Sequence, residues 1–271
     1  MVPTFPQPSF QHTRQSRKPL TFSPKIFAFS IEEGAASSAP TSHGLGENAG
    51  SGYTLSVTLV KICGITNWRD AEAAVDAGAD ALGFHCDENS PRVLDPLDFA
   101  DIAARLPAHI VKVGVFDRTT DFRWRIEGRS LIKQFGQLQY YQDSVWTDII
   151  RENWAMDRKI KAFHLGSDRD LRAVANFNGT VQSYLLNVHT NAPEGYSDAE
   201  AYGWELVRET RQYGKKIYLA GGLTPENVGA AIARALPYAV DVTVGVESEP
   251  GRKDPSKMKA FVQAVRAAEG K

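Results

Sequence analysis

From about Leu55 to the C-terminus, short apolar runs rich in β-branched and aromatic residues alternate with longer stretches of helical period. The short runs predict strands at Thr58–Ile62, Ala81–Phe84, Ile110–Val115, Gly136–Leu138, Lys159–Phe163, Ser183–Leu186, Lys216–Leu219 and Ala239–Val242. The amphipathic stretches between them predict helices starting near Trp68, Pro96, Thr120, Ser144, Asp168, Ala199, Pro225 and Pro255. Local signals support several of these starts. Asn67 is placed to cap the first helix, Gly78 to end it, and Thr224-Pro225-Glu226 and Asp254-Pro255 each set a cap before a proline.

Eight strand–helix units imply a parallel sheet, either a closed barrel or an open doubly wound sheet. The count favours closure, because eight strands leave no edge, and no G-x-G-x-x-G follows the first strand. The expected fold is a single (β/α)8 TIM barrel over residues 55–271. Residues 1–54 keep neither period. Prolines punctuate the start, a Gly/Ala/Ser-rich run follows, and no acidic residue precedes Glu32. A disordered extension is expected there, or a start assigned too early; the basic balance is faintly that of an organellar transit peptide.

Composition narrows the function. The net charge of -1 speaks against nucleic acid or an anionic membrane as partner. No apolar run is long enough to span a bilayer. Two cysteines, Cys63 and Cys86, are no disulfide framework, so a reducing, cytoplasmic setting is expected. His85, His109 and His164 have no partners at metal spacing, so no metal is expected, and Tyr140, Tyr141 and Trp146 are read as packing.

In a barrel the chemistry sits on the loops that follow the strands. Cys63 ends the first strand, where a thiolate can serve as base or nucleophile; the alternative is a buried structural cysteine. Arg92 on the second loop can grip a carboxylate or phosphate, or simply be solvated. Gly221 and Gly222 on the seventh loop, with Gly245 and Val246 on the eighth, are expected to offer backbone N–H groups to a phosphate. Asp241, ending the eighth strand, is either structural or orients a loop.

KICGIT at 61–66, GF at 83–84, SPR at 90–92, VGVF at 113–116, GGLTPENV at 221–228 and VDVTVGVESEPGRKD at 240–254 resemble the phosphoribosylanthranilate isomerase family, in one order from about Val60 onward. The resemblance implies a cofactor-free Amadori rearrangement of N-(5'-phosphoribosyl)anthranilate in tryptophan biosynthesis, by a monomer or homodimer acting on a small phosphosugar. It implies Cys63 as the general base, Arg92 as the grip on the anthranilate carboxylate, and Gly222 and Gly245 with their neighbours as the phosphate site. It also exposes departures. Where the family has a general-acid aspartate in an LLD motif, this chain has Leu185-Leu186-Asn187, and an amide has no proton to deliver near neutral pH. The family's QLHG is Gln137-Leu138-Gln139-Tyr140, its glycine-rich sixth loop is Glu194-Gly195-Tyr196-Ser197, and its paired serines are Thr243 and Val244. An acid from His189, Asp198 or water would preserve the reaction. The alternatives are an isomerase of another phosphosugar and a non-catalytic phosphosugar-binding protein.

Overall fold

The structure is a computed structural model of the 271-residue chain. It describes residues 57–116, 123–124, 128–141, 158–177, 181–189 and 199–269. The expected extension over 1–54, the helix starts at Thr120 and Ser144, Trp146, Asp198 and the segment 194–197 lie outside the described residues.

Eight parallel strands close into a barrel in sequence order, β1 pairing with both β2 and β8. They are β1 Leu59–Cys63, β2 Ala81–His85, β3 Val111–Phe116, β4 Gln137–Tyr140, β5 Lys159–Leu165, β6 Ser183–Val188, β7 Lys216–Ala220 and β8 Ala239–Val242. Every expected strand is present. β1 ends at Cys63, as expected, and β6 runs to Val188, so Cys63 and Asn187 both lie on strands. That fixes their backbones in the hydrogen-bonded ladder and aims their side chains by register.

Six α-helices are described: α1 Trp68–Ala77, α2 Pro96–Arg105, α3 Asp168–Ala175, α4 Ala199–Glu209, α5 Val228–Ala235 and α6 Pro255–Glu269. Asn67 caps α1 by accepting from the Asp70 amide at 2.9 Å, and Gly78 ends it at φ 96°. Asp254 accepts from the amides of Ser256 and Lys257, at 2.8 and 3.1 Å, and so caps α6. The expected start at Pro225 is corrected: α5 begins at Val228. Asn227 accepts from the Thr224 amide at 2.8 Å and donates to the Gly222 carbonyl at 3.0 Å, folding Pro225 and Glu226 into a turn ahead of the helix. A short antiparallel hairpin, β9 Glu247–Glu249 with β10 Arg252–Lys253, follows β8 and has no counterpart in the sequence reading.

Apolar side chains fill two layers. Ala81, Val113, Ile160, Ala162, Leu185 and Ala239 pack inside the barrel. Between the strands and the helices the largest group is aromatic, with Phe84, Phe99, Trp124 and Phe135 in mutual contact and the Trp124 indole donating to the Leu94 carbonyl at 2.7 Å. Polar side chains at and below the C-terminal ends of the strands, among them Lys61, Gln139 and Asp241, are buried within this packing.

Candidate active site at the barrel mouth

Beneath the mouth lies a buried polar floor. Lys61 on β1 and Asp241 on β8 are register partners, and Lys61 Nζ donates to Asp241 Oδ1 at 2.9 Å and to Gln139 Oε1 at 3.0 Å. All three side chains are buried. Burial works against the Lys61 ammonium, yet Asp241 and Cys63 hold its pKa above the ordinary lysine value. Asp241, left open in the sequence as structural or orienting, is thus the counter-ion of a buried lysine.

Cys63 lies two residues along β1, directly above this pair. Its register partner is Gly83, where any side chain would collide with the sulfur: a Cβ there would stand 2.5 Å from Cys63 Sγ. His85 Nε2 is 3.7 Å from Cys63 Sγ. Burial pushes the Cys63 thiol above its ordinary range, and attraction and a hydrogen bond from Lys61 work the other way. Burial also holds His85 down to about 3, with the cationic Lys61, Arg92 and Lys253 adding to the effect. The imidazole is therefore neutral beside the sulfur. Neither Cys63 nor Cys86 is in a disulfide, and both are buried.

A cavity of about 270 Å³ opens above Cys63. Gly221, Gly222, Leu223, Thr243, Val244 and Gly245 line one side of it. Gly221 sits at φ +95°, and a Cβ there would fall 2.2 Å from the Val188 carbonyl oxygen. At Gly245 a Cβ would stand 1.9 Å from the Leu223 carbonyl oxygen, so the seventh and eighth loops touch backbone to backbone. Val246 is fully buried and is not among the lining residues, whereas Gly221, Gly222 and Gly245 are. The paired glycines also lead into the Thr224–Asn227 turn, not straight into a helix N-terminus.

The opposite side of the cavity is made of side chains: Gln139 on β4, Tyr141 just after it, and Asn187 on β6. Tyr140 is buried in the core, and Tyr141, read as packing, packs against the barrel-interior cluster and also lines the cavity. Its ring stacks on His164 at 5.2 Å and 23°, and His164 Nδ1 lies 2.8 Å from His189 Nε2. Its carbonyl accepts from Lys161, which anchors the residue at the end of β4. Burial pushes the Tyr141 phenol up to about 12; the charges of Asp241 and Cys63 add to this, while Lys61 and a side-chain hydrogen bond from Asn187 favour the ionised form. Asn187 is the register partner of both His164 and Ala220, which brings it to the same level as the glycine turn.

Arg92 is not a solvated surface arginine. Its Nε and Nη2 donate to the two carboxylate oxygens of Glu247 at 2.8 and 2.6 Å, and its side chain is 14% exposed. Lys253 Nζ reaches the same carboxylate at 3.0 Å. Burial opposes the Glu247 charge, but Arg92 and Lys253 hold its pKa below the usual carboxylate range. Arg92 borders the site without lining the cavity itself, and Nη1 takes part in neither bond to Glu247. Sequence reasoning missed Lys61, His85, Gln139, Tyr141 and Glu247. The signal available was position, since each stands in or just after a β-run. Among the described residues no group of three or more His, Cys, Asp or Glu is arranged to hold a metal ion, and no helix is long and apolar enough to cross a membrane.

Comparison with known proteins places this geometry. Residues 60–264 match the family model described as N-(5'phosphoribosyl)anthranilate (PRA) isomerase. The N-(5'-phosphoribosyl)anthranilate isomerase of Geobacter sp. (strain M21) is 40% identical over 214 residues, covering 78% of this chain and 98% of that protein. The crystal structure of phosphoribosyl anthranilate isomerase from Thermotoga maritima is similar with a TM-score of 0.65 at 33% identity, over 78% of this chain and 99% of that one. A phosphoribosyl anthranilate isomerase in complex with reduced 1-(o-carboxyphenylamino)-1-deoxyribulose 5-phosphate is similar with a TM-score of 0.64 at 32% identity, over 78% and 99% of the two chains.

Proposed function

The chain belongs to the N-(5'-phosphoribosyl)anthranilate isomerase family, and we propose from that membership that it catalyses the Amadori rearrangement of N-(5'-phosphoribosyl)anthranilate to 1-(2-carboxyphenylamino)-1-deoxyribulose 5-phosphate, a step of tryptophan biosynthesis. It is an isomerase acting on a phosphorylated sugar within a TIM barrel. The observation that carries the residue roles is the position of Cys63: a thiol at the end of β1, at the base of a cavity, beside the Lys61 ammonium.

In our assignment the phosphate lies against the Gly221–Gly222 turn and the Gly245 loop, where two backbones meet without intervening side chains. The sugar then spans the cavity above Cys63. Opening of the furanose ring leaves a positively charged imine at C1', which acidifies the C2' proton, and the Cys63 thiolate removes it. Lys61 stabilises that thiolate from below. Because burial raises the thiol pKa, the thiolate fraction, and with it the rate, rises with pH over a range above the ordinary thiol value of about 8.5. Arg92, its fork pinned by Glu247, presents Nη1 to the anthranilate carboxylate. We place the protein in the cytoplasm, where both thiols stay reduced.

The test is turnover of freshly generated phosphoribosylanthranilate, followed by its fluorescence, in wild type and Cys63→Ala. Turnover by the wild type that falls at least about 1,000-fold in Cys63→Ala is expected, given that a lost base costs about 10²–10⁴-fold. Folded wild-type protein without turnover would overturn the assignment.

A further inference from the structure

Ring opening needs a proton on the furanose oxygen, and Asn187 has none to give. We propose that the Tyr141 phenol is the general acid of this enzyme, donating its proton to the ring oxygen from the cavity wall that it shares with Asn187. This rests on the isomerase reading above. The remaining groups of the described cavity wall are each otherwise committed. Cys63 is the base. His85 is a neutral imidazole against its sulfur, and Asp241 is the partner of the Lys61 ammonium at 2.9 Å. Lys61 itself lies beneath the cavity wall, not in it. Tyr141 is left: a protonated phenol facing the cavity on the side where the resemblance places the family's aspartate.

Its setting is that of a held group. The ring lies against His164 and the carbonyl is anchored by Lys161. The charged or titratable groups that bear on the phenol are Lys61 and Cys63 on β1, Asp241 on β8 and His164 on β5.

The step balances. The phenol O–H gives its proton to the ring oxygen as the C1'–O bond breaks, and that bond's electron pair stays on the oxygen. The anilino lone pair forms the C1'=N bond. The Cys63 thiolate takes the C2' proton, and the released pair forms the C1'=C2' enol while the C1'=N pair returns to nitrogen. The enol proton then goes to the tyrosinate as C2'=O forms, and the thiol proton goes to C1'. Both residues end as they began.

Four proteins decide the matter on phosphoribosylanthranilate: wild type, Cys63→Ala, Tyr141→Phe, and the double variant Tyr141→Phe with Asn187→Asp. Tyr141→Phe is expected to lower kcat by about 100-fold or more with KM changed less than about threefold, the mark of an interaction made in the transition state. The double variant restores a carboxylic acid and recovers at least about tenfold, with a kcat that now falls as that acid ionises, a limb absent from the wild type. An unchanged kcat in Tyr141→Phe, or a change in KM alone, overturns the proposal and leaves the isomerase reading intact so long as Cys63→Ala remains inactive. Loss without recovery in the double variant assigns Tyr141 a packing role and overturns it too. An inactive wild type overturns both.

Discussion

The two sides of the barrel mouth are built from different materials. On the β7–β8 side the wall is backbone, two glycine loops touching where no Cβ fits. On the β4–β6 side it is side chains: Gln139, Tyr141 and Asn187. The first side keeps the family's glycines, although Thr243 and Val244 stand there in place of its paired serines, and the second carries the change at the family's acid, Asn187. A wall of backbone can hold a phosphate only in one shape, so a substitution there tends to break it. A wall of side chains can exchange one proton donor for another while the strands beneath stay in register. The floor of Lys61 and Asp241 joins the two sides.

The comparison can be broken at three points. The largest effect is expected at the floor. Asp241→Asn leaves the Lys61 ammonium buried opposite an amide and should destabilise the fold by about 3–5 kcal/mol, the usual loss when one partner of a buried pair is removed. Denaturant unfolding measures it, and a loss below about 1 kcal/mol would mean that water reaches the floor. Next is the backbone wall. Gly245→Ala sets a methyl group 1.9 Å from the Leu223 carbonyl oxygen, and the loop must move. A displacement of that size at a binding wall costs on the order of 100-fold, here in KM for the phosphorylated substrate. The third effect, at His85, is confined to acid pH. Its native pKa of about 3 lies below the unfolded value of about 6.5, so below pH 6.5 the unfolded chain binds a proton that the native state refuses. Stability contributed by the neutral imidazole is present above pH 6.5 and is lost as pH falls towards 3. His85→Asn should flatten that part of the stability–pH curve, and an unchanged slope would place the proton uptake elsewhere.

Much of this was legible in the chain itself. The eight apolar runs became the eight strands because each is bounded by turn residues and backed by an amphipathic helix or loop, and Cys63 could be placed because it closes the first run. The glycines of the seventh and eighth loops were legible for the same reason. What escaped was whatever only closure of the barrel brings together. Lys61 meets Asp241 across 180 positions and Arg92 meets Glu247 across 155, and no local pattern records either pair. Tyr141 packs as expected, but that it also lines the cavity becomes visible only once the barrel is closed. The start of α5 moved to Val228 because the Asn227 side chain competes locally for backbone groups, a choice that helix-start signals at Thr224 and Pro225 do not reveal.

The central claim is that one side of this mouth binds and the other side does the proton chemistry. Steady-state kinetics of Gly245→Ala and Tyr141→Phe, measured side by side on phosphoribosylanthranilate, test it most directly. The account predicts that Gly245→Ala raises KM and spares most of kcat, and that Tyr141→Phe lowers kcat and spares KM. The same parameter moving in both variants would contradict the division.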